Sequence, residues 1–139
     1  MAQFRLFLVE DRESDISLLK AAVEKCAPEV PVLTFSTGAK LLDALKSDPN
    51  PPGLILLDIN LPGASGIEVL RQLRETPAYR LYPTAILSTS NSPADIRQCL
   101  EQSCCGYFVK PVEVKVFFEM MDALLRYWRF AWSSSHNGR

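Results

Sequence analysis

The sequence predicts an α/β protein built as one doubly wound sheet of five parallel strands with helices on both faces, and three observations carry that reading. Five short apolar runs alternate strictly with longer segments whose apolar residues recur at helical spacing. Such alternation gives a parallel sheet, because each right-handed crossover needs a helix to return the chain. The run Leu54-Ile55-Leu56-Leu57 leaves no polar face, as expected of a central strand covered on both sides. Four of the five runs end in polar residues, Glu10-Asp11, Asp58, Ser88 and Lys110, at the strand ends where ligands of open α/β sheets collect. A chain of 139 residues, 47% of them apolar, suits one domain. Residues 1–132 are assigned to it and 133–139 to a flexible tail.

Residues 4–9 form the first apolar run, interrupted by Arg5 alone, and lead into Glu10-Asp11. From Ser14 the period lengthens: Ile16, Leu19, Ala22 and Val23 share a helix face, and the helix ends before Pro28. Val32–Phe35 is the second strand, and a helix over residues 38–46 turns Leu41, Leu42 and Leu45 inward. Asp48-Pro49-Asn50-Pro51-Pro52-Gly53 cannot continue that helix. After the central strand, Pro62-Gly63-Ala64-Ser65-Gly66 makes a turn, and Ile67, Val69, Leu70 and Leu73 open a third helix that stops at Thr76-Pro77. Thr84–Ser88 is the fourth strand. Asn91-Ser92-Pro93-Ala94-Asp95 reads as a helix entry, with Pro93 near the first helical position and Asp95 placed for the helix dipole. Ile96 and Leu100 mark that helix, which frays at Cys104-Cys105-Gly106. Tyr107–Val109 is the last strand, and after Lys110-Pro111 a long helix spans residues 113–132.

Composition excludes several classes of function. The 15 basic and 16 acidic side chains give a formal charge of -1 without long like-charge blocks, so there is no nucleic-acid footprint and no polybasic membrane contact. No stretch approaches the roughly 20 apolar residues of a membrane span, and the first ten residues lack the layout of a signal peptide. The expected location is the cytoplasm, and the expected partners are proteins or small molecules. Cys26, Cys99, Cys104 and Cys105 lack paired zinc-ligand spacing, and His136, the lone histidine, lies in the polar tail.

Chemistry gathers at the strand ends. Three carboxylates, Glu10, Asp11 and Asp58, would repel one another unless a cation sat among them, and clustered oxygens favour a hard ion such as Mg²⁺. Lys110 and Ser88 add two donors for anionic oxygens, which together describe a carboxylate nucleophile, a metal and a phosphoryl group. Plainer readings stand beside these: Asp58 as a carboxylate capping the next turn, Lys110 as a solvated strand end, Tyr107 as a fixed aromatic.

The Glu10-Asp11 pair, Asp58 in Leu57-Asp58-Ile59-Asn60-Leu61-Pro62 with Gly66 beyond it, Ser88 thirty positions after Asp58, and Tyr107-Phe108-Val109-Lys110-Pro111 resemble the receiver domains of two-component response regulators. The resemblance covers residues 4–130 and rests on several separated motifs in the right order. It implies a flavodoxin-like sheet of strand order 2-1-3-4-5. It also implies that Asp58 is the phosphoacceptor for a sensor histidine kinase, that Glu10, Asp11, Asp58 and the Asn60 carbonyl hold Mg²⁺, and that Lys110 pairs with a phosphoryl oxygen. Pro111 would follow a cis peptide. Ser88 would bond the phosphoryl group, Tyr107 would change rotamer as the switch is thrown, and Thr89, with Asn60 and Ser90, would set the rate of hydrolysis. Such a protein catalyses only its own phosphorylation and dephosphorylation and signals through its surface, so it is not an enzyme in the metabolic sense.

The last helix carries two apolar rows. Val114, Phe117, Phe118, Met121, Leu124, Leu125 and Trp128 form a core stripe, and Val116, Met120, Ala123, Tyr127 and Phe130 run beside it. An exposed strip of that size predicts a protein partner, most simply a second copy in a two-fold dimer. Its aromatic end, Tyr127-Trp128-Arg129-Phe130-Ala131-Trp132, with the Val9-Glu10-Asp11 opening and the Lys110-Pro111-Val112 step, resembles the small response regulators that pair with phytochrome-type histidine kinases. Two other readings remain: within signalling, a phosphorelay intermediate that passes its phosphoryl group to a histidine phosphotransfer protein, and, as a different class, a pseudo-receiver that works as a binding module without phosphorylation. A nucleotide-binding enzyme on the same sheet would need a glycine-rich loop where Glu10-Asp11-Arg12-Glu13 stands.

Overall fold

Alternation along the strands sorts the core into two layers, one on each face of the sheet. The computed structural model describes residues 3–136. Its strands, β1 (Leu6–Val9), β2 (Val32–Phe35), β3 (Leu54–Leu57), β4 (Thr84–Ser88) and β5 (Tyr107–Val109), are all parallel and lie in the order β2-β1-β3-β4-β5. The helices are α1 (Glu13–Cys26), α2 (Gly38–Ser47), α3 (Gly66–Glu75), α4 (Pro93–Glu101) and α5 (Val114–His136). This is the expected doubly wound arrangement.

Leu6, Leu8, Leu54, Leu56, Ala85 and Leu87 face α1 and α5, where Leu19, Val23, Phe117, Met121 and Leu125 complete one core layer. Phe7, Val9, Ile55, Leu57 and Ile86 face the other way and pack on Leu41 of α2, Val69, Leu70 and Leu73 of α3, and Cys99 of α4. Strands β1 and β3 are buried along their whole length, which is why their sequences carry almost no polar residues. Three helices start from side-chain caps: Thr37, Ser65 and Ser92 accept the amide hydrogens of Lys40, Glu68 and Asp95.

Three expectations shift. In α4 the buried residue is Cys99, while Leu100 is 56% exposed. At the start of α5, Val114 lies outside the core, 57% exposed. The helix also continues past residue 132 to His136, so residues 133–136, expected in the tail, are helical. The cause is packing beneath the sheet: Trp132 is buried edge-on against Phe4, with ring centroids 6.0 Å apart, and Arg129 pairs with Glu29. Residues 137–139 of the expected tail lie outside the described residues.

Candidate functional site

The β3 strand delivers Asp58 to the carboxyl edge of the sheet, and its neighbours hold it there. The Asp58 amide donates to the Val9 carbonyl at 3.1 Å, tying the loop after β3 to the end of β1. The turn before α3 closes from the other side, where the Gly66 amide donates to the Ile59 carbonyl at 2.8 Å. A Cβ at position 66 would stand 2.0 Å from the Asp58 carbonyl oxygen, so only glycine allows α3 to start this close. Asp58 itself is buried.

Glu10 is buried at the end of β1, and both of its carboxylate oxygens are engaged. One accepts from the Asp11 and Arg12 amides at 3.2 and 3.3 Å, and the other takes the Lys110 ammonium at 2.7 Å. Asp11 is exposed beside it. One oxygen from each of Glu10, Asp11 and Asp58 lies within 4.8 Å of the others. That spacing fits a single hard cation bound by carboxylates directly or through its waters, so the donor set suits Mg²⁺ or Mn²⁺. Asn60 is exposed in the loop two residues past Asp58.

Lys110 ends β5, its amide donating to the Ser88 carbonyl at 2.8 Å. Its ammonium reaches two carboxylates, Glu10 and, at 2.9 Å, Asp15. Asp15 is the site residue that sequence reasoning missed. The available signal was a second acidic side chain in the first turn of α1, four residues after Asp11. Burial pushes the Glu10 carboxyl above its ordinary value, the bond from Lys110 opposes that, and the charge on Asp58 adds to it. For Lys110 burial acts downward but is outweighed by the bonds to Glu10 and Asp15 and the charge of Asp58, so its net shift is upward.

The β4–α4 loop carries the hydroxyl groups. Ser88 is buried at the end of β4, and its Oγ accepts from the Ser90 amide at 3.3 Å. Ser90 Oγ donates to Asp95 at 2.6 Å, and the half-buried Tyr107 hydroxyl donates to the Ser90 carbonyl at 2.8 Å. The candidate switch residues Ser88 and Tyr107 therefore meet at one residue, Ser90. Thr89 is exposed and faces a cleft of about 190 Å³ that Glu10, Asp15, Lys110 and Pro111 also line.

One expectation is corrected: there is no cis peptide among the described residues, so the Lys110–Pro111 bond is trans, the ordinarily preferred isomer even before proline. On α5, Val116, Tyr127 and Phe130 are exposed as the dimer reading requires, while Met120 is half-buried against the core. Sequence reasoning also missed the exposed apolar residues Leu81, Val109 and Val112. Among the described residues no helix is long and apolar enough to cross a membrane.

Comparison with known proteins adds independent findings. The model of the response regulator receiver domain matches residues 6–122. The two-component response regulator ARR8 of Arabidopsis thaliana is 29% identical over 130 residues, an alignment covering 81% of this chain and 57% of that protein. The chain thus spans little more than half the length of the first curated relatives it matches. The phosphorylated cyanobacterial phytochrome response regulator RcpA superposes with a TM-score of 0.84 at 30% identity, covering 91% of this chain and 94% of that one. The Mn²⁺-bound form of response regulator Rcp1, a protein of Synechocystis, gives a TM-score of 0.82 at 27% identity with the same coverage.

Proposed function

Because this chain belongs to the response regulator receiver family, a family that partners with histidine kinases and binds Mg²⁺ or Mn²⁺ in an acidic pocket, we propose that it is a phosphorylation switch with Asp58 as phosphoacceptor. The observation that carries the proposal is the cluster of Glu10, Asp11 and Asp58 oxygens within 4.8 Å, with the Lys110 ammonium bonded to Glu10 beside it. An Asp58 oxygen attacks the phosphorus of a phosphohistidine. The P–N bond breaks, the imidazole leaves with its electron pair, and an aspartyl phosphate remains. Glu10, Asp11, Asp58 and the Asn60 carbonyl would hold Mg²⁺, which neutralises charge on the transferring oxygens when bound.

The protein's own groups do the rest. The Lys110 ammonium and the Ser88 hydroxyl each bond one phosphoryl oxygen. Drawing Ser88 toward the phosphoryl group disturbs Ser90, and with it the Tyr107 hydroxyl bond, so β4, β5 and the adjoining helices settle in a second arrangement. Thr89 and Asn60, both exposed at the rim, control the approach of the hydrolytic water. The protein signals by this surface change and turns over no metabolite.

The likeness to a phytochrome response regulator supports a phytochrome-type histidine kinase as the donor. The exposed row on α5 supports a homodimer through Val116, Tyr127 and Phe130, with Met120 at its inner edge. The deciding measurement is intact mass after incubation with acetyl phosphate and Mg²⁺, beside Asp58→Asn and beside a chelated sample. The expected result is a phosphoryl adduct on wild type alone; no adduct under any condition overturns the reading in favour of a pseudo-receiver. Onward transfer to a histidine phosphotransfer protein would make it a relay intermediate. Sedimentation of Phe130→Glu tests the dimer, with a shift to monomer expected.

A further inference from the structure

We propose that Asp15 is a positioning residue of the phosphoacceptor site: its carboxylate holds the Lys110 ammonium in the unphosphorylated protein, and an incoming phosphoryl group must draw the ammonium away from it. The inference rests on Asp58 as the phosphoacceptor and adds a residue to that site.

The two carboxylates on Lys110 are not equivalent. Glu10 contacts it at 2.7 Å and is itself fixed, since its second oxygen takes two backbone amides and its side chain is only 2% exposed. Asp15 contacts it at 2.9 Å from the first turn of α1, and its side chain is 26% exposed. The same Asp15 oxygen also lies 3.6 Å from Arg12 Nε, so a second cation remains beside it when Lys110 leaves. A carboxylate at the solvent edge regains hydration on release, whereas the buried Glu10 regains almost none. Asp15 is therefore the partner that Lys110 gives up. The cleft lined by Glu10, Asp15, Thr89 and Lys110 leaves about 190 Å³ for the ammonium to swing through. A phosphoryl group carries more negative charge than one carboxylate, which drives the exchange.

The competition makes a signed prediction: weakening the hold of Asp15 makes phosphorylation easier. The experiment follows the initial rate of adduct formation against acetyl phosphate concentration at saturating Mg²⁺. It uses wild type, Asp15→Asn, Asp15→Glu and Glu13→Gln, the last removing an exposed charge from the same helical turn. In Asp15→Asn, kcat/KM should rise about fivefold, the scale of one partly exposed ion pair. Asp15→Glu should stay near wild type, and Glu13→Gln should move less than about twofold.

A second readout does not use phosphorylation. Acylation of Lys110 by a neutral N-hydroxysuccinimide ester, read by peptide mass mapping, should be several times faster in Asp15→Asn than in wild type or Glu13→Gln. Unchanged Lys110 reactivity would mean that Asp15 does not hold the ammonium. Altered reactivity with an unchanged phosphorylation rate, or equal rates in Asp15→Asn and Glu13→Gln, would overturn the competition. If wild type takes no phosphoryl group while Lys110 reactivity still responds, the failure lies with Asp58 as acceptor, and the exchange step falls with it while the hold of Asp15 stands.

Discussion

At the amino end of the sheet the strands start from prolines: Pro31 precedes β2, Pro52 stands just before β3 and Pro83 precedes β4. The Pro31 and Pro83 carbonyls accept the Leu6 and Ile55 amides at 2.9 Å, and Trp132 of the extended α5 closes over Phe4. At the carboxyl end β1, β3, β4 and β5 lead into Glu10, Asp58, Ser88 and Lys110, and both of these carboxylates are buried. One end spends its residues on shutting water out; the other gathers three carboxylates beside a lysine. Stability and chemistry are thus separated along the strands, and substitutions at the two ends should damage different properties.

Gly66→Ala should produce the largest effect and is the one change expected to damage both. The added methyl meets backbone, the Asp58 carbonyl oxygen at 2.0 Å and Ile59 Cα at 2.7 Å, and neither can rotate aside. Displacing α3 should lower stability by about 3 kcal/mol or more and move Asp58 out of register with Glu10. Denaturant unfolding and intact mass with acetyl phosphate measure the two losses. A stable Gly66→Ala protein that still accepts a phosphoryl group would remove the tight approach of α3 from the account of the site.

Trp132→Ala sharpens the separation from the other end. Truncating a large buried aromatic costs about 3–5 kcal/mol in a core, and at a helix end, where water can enter the gap, about 2 kcal/mol is expected. Phosphoryl acceptance should stay near wild type at a temperature where both proteins are folded. A large loss of phosphorylation in folded Trp132→Ala would show the two ends to be coupled through α5.

The sequence made one end far more legible than the other. Strand identity, order of elements and the acidic cluster follow from local signals: apolar runs such as Leu54-Ile55-Leu56-Leu57, and carboxylates where those runs stop. Asp15 escaped because it is an acidic residue in the first turn of a helix, where the dipole alone explains a carboxylate; its bond to Lys110 spans 95 positions. Trp132 escaped for the same reason, since its partner Phe4 lies at the far end of the chain, and without that contact the polar residues 133–136 read as tail. In α4 the period was right but the phase was off by one residue, which exchanged Cys99 for Leu100 in the core. The trans Lys110–Pro111 bond corrects an expectation carried by family resemblance alone.

The smallest expected effect lies in the alkaline limb of stability and tests whether the charges at the carboxyl end support the fold at all. Burial acts to lower the Lys110 value, but the bonds to Glu10 and Asp15 and the charge of Asp58 outweigh it and raise it above the ordinary lysine value of 10.5. A base held more tightly in the folded state adds stability that is complete below the unfolded value and is lost as pH rises through the folded one. Lys110→Gln lacks this contribution, so its deficit against wild type should be constant up to the ordinary lysine range and shrink above it. Asp15→Asn should begin its loss at the same pH as wild type but complete it at a lower pH and lose less in total, because one of the two bonds that raise the folded value is weakened. Urea midpoints measured between about pH 8 and 12 give the comparison, and subtracting the variant cancels the titration of the other lysines and tyrosines. Parallel curves for wild type and Lys110→Gln would mean that Lys110 contributes no pH-dependent stability, and would sharpen the division between the two ends of the sheet.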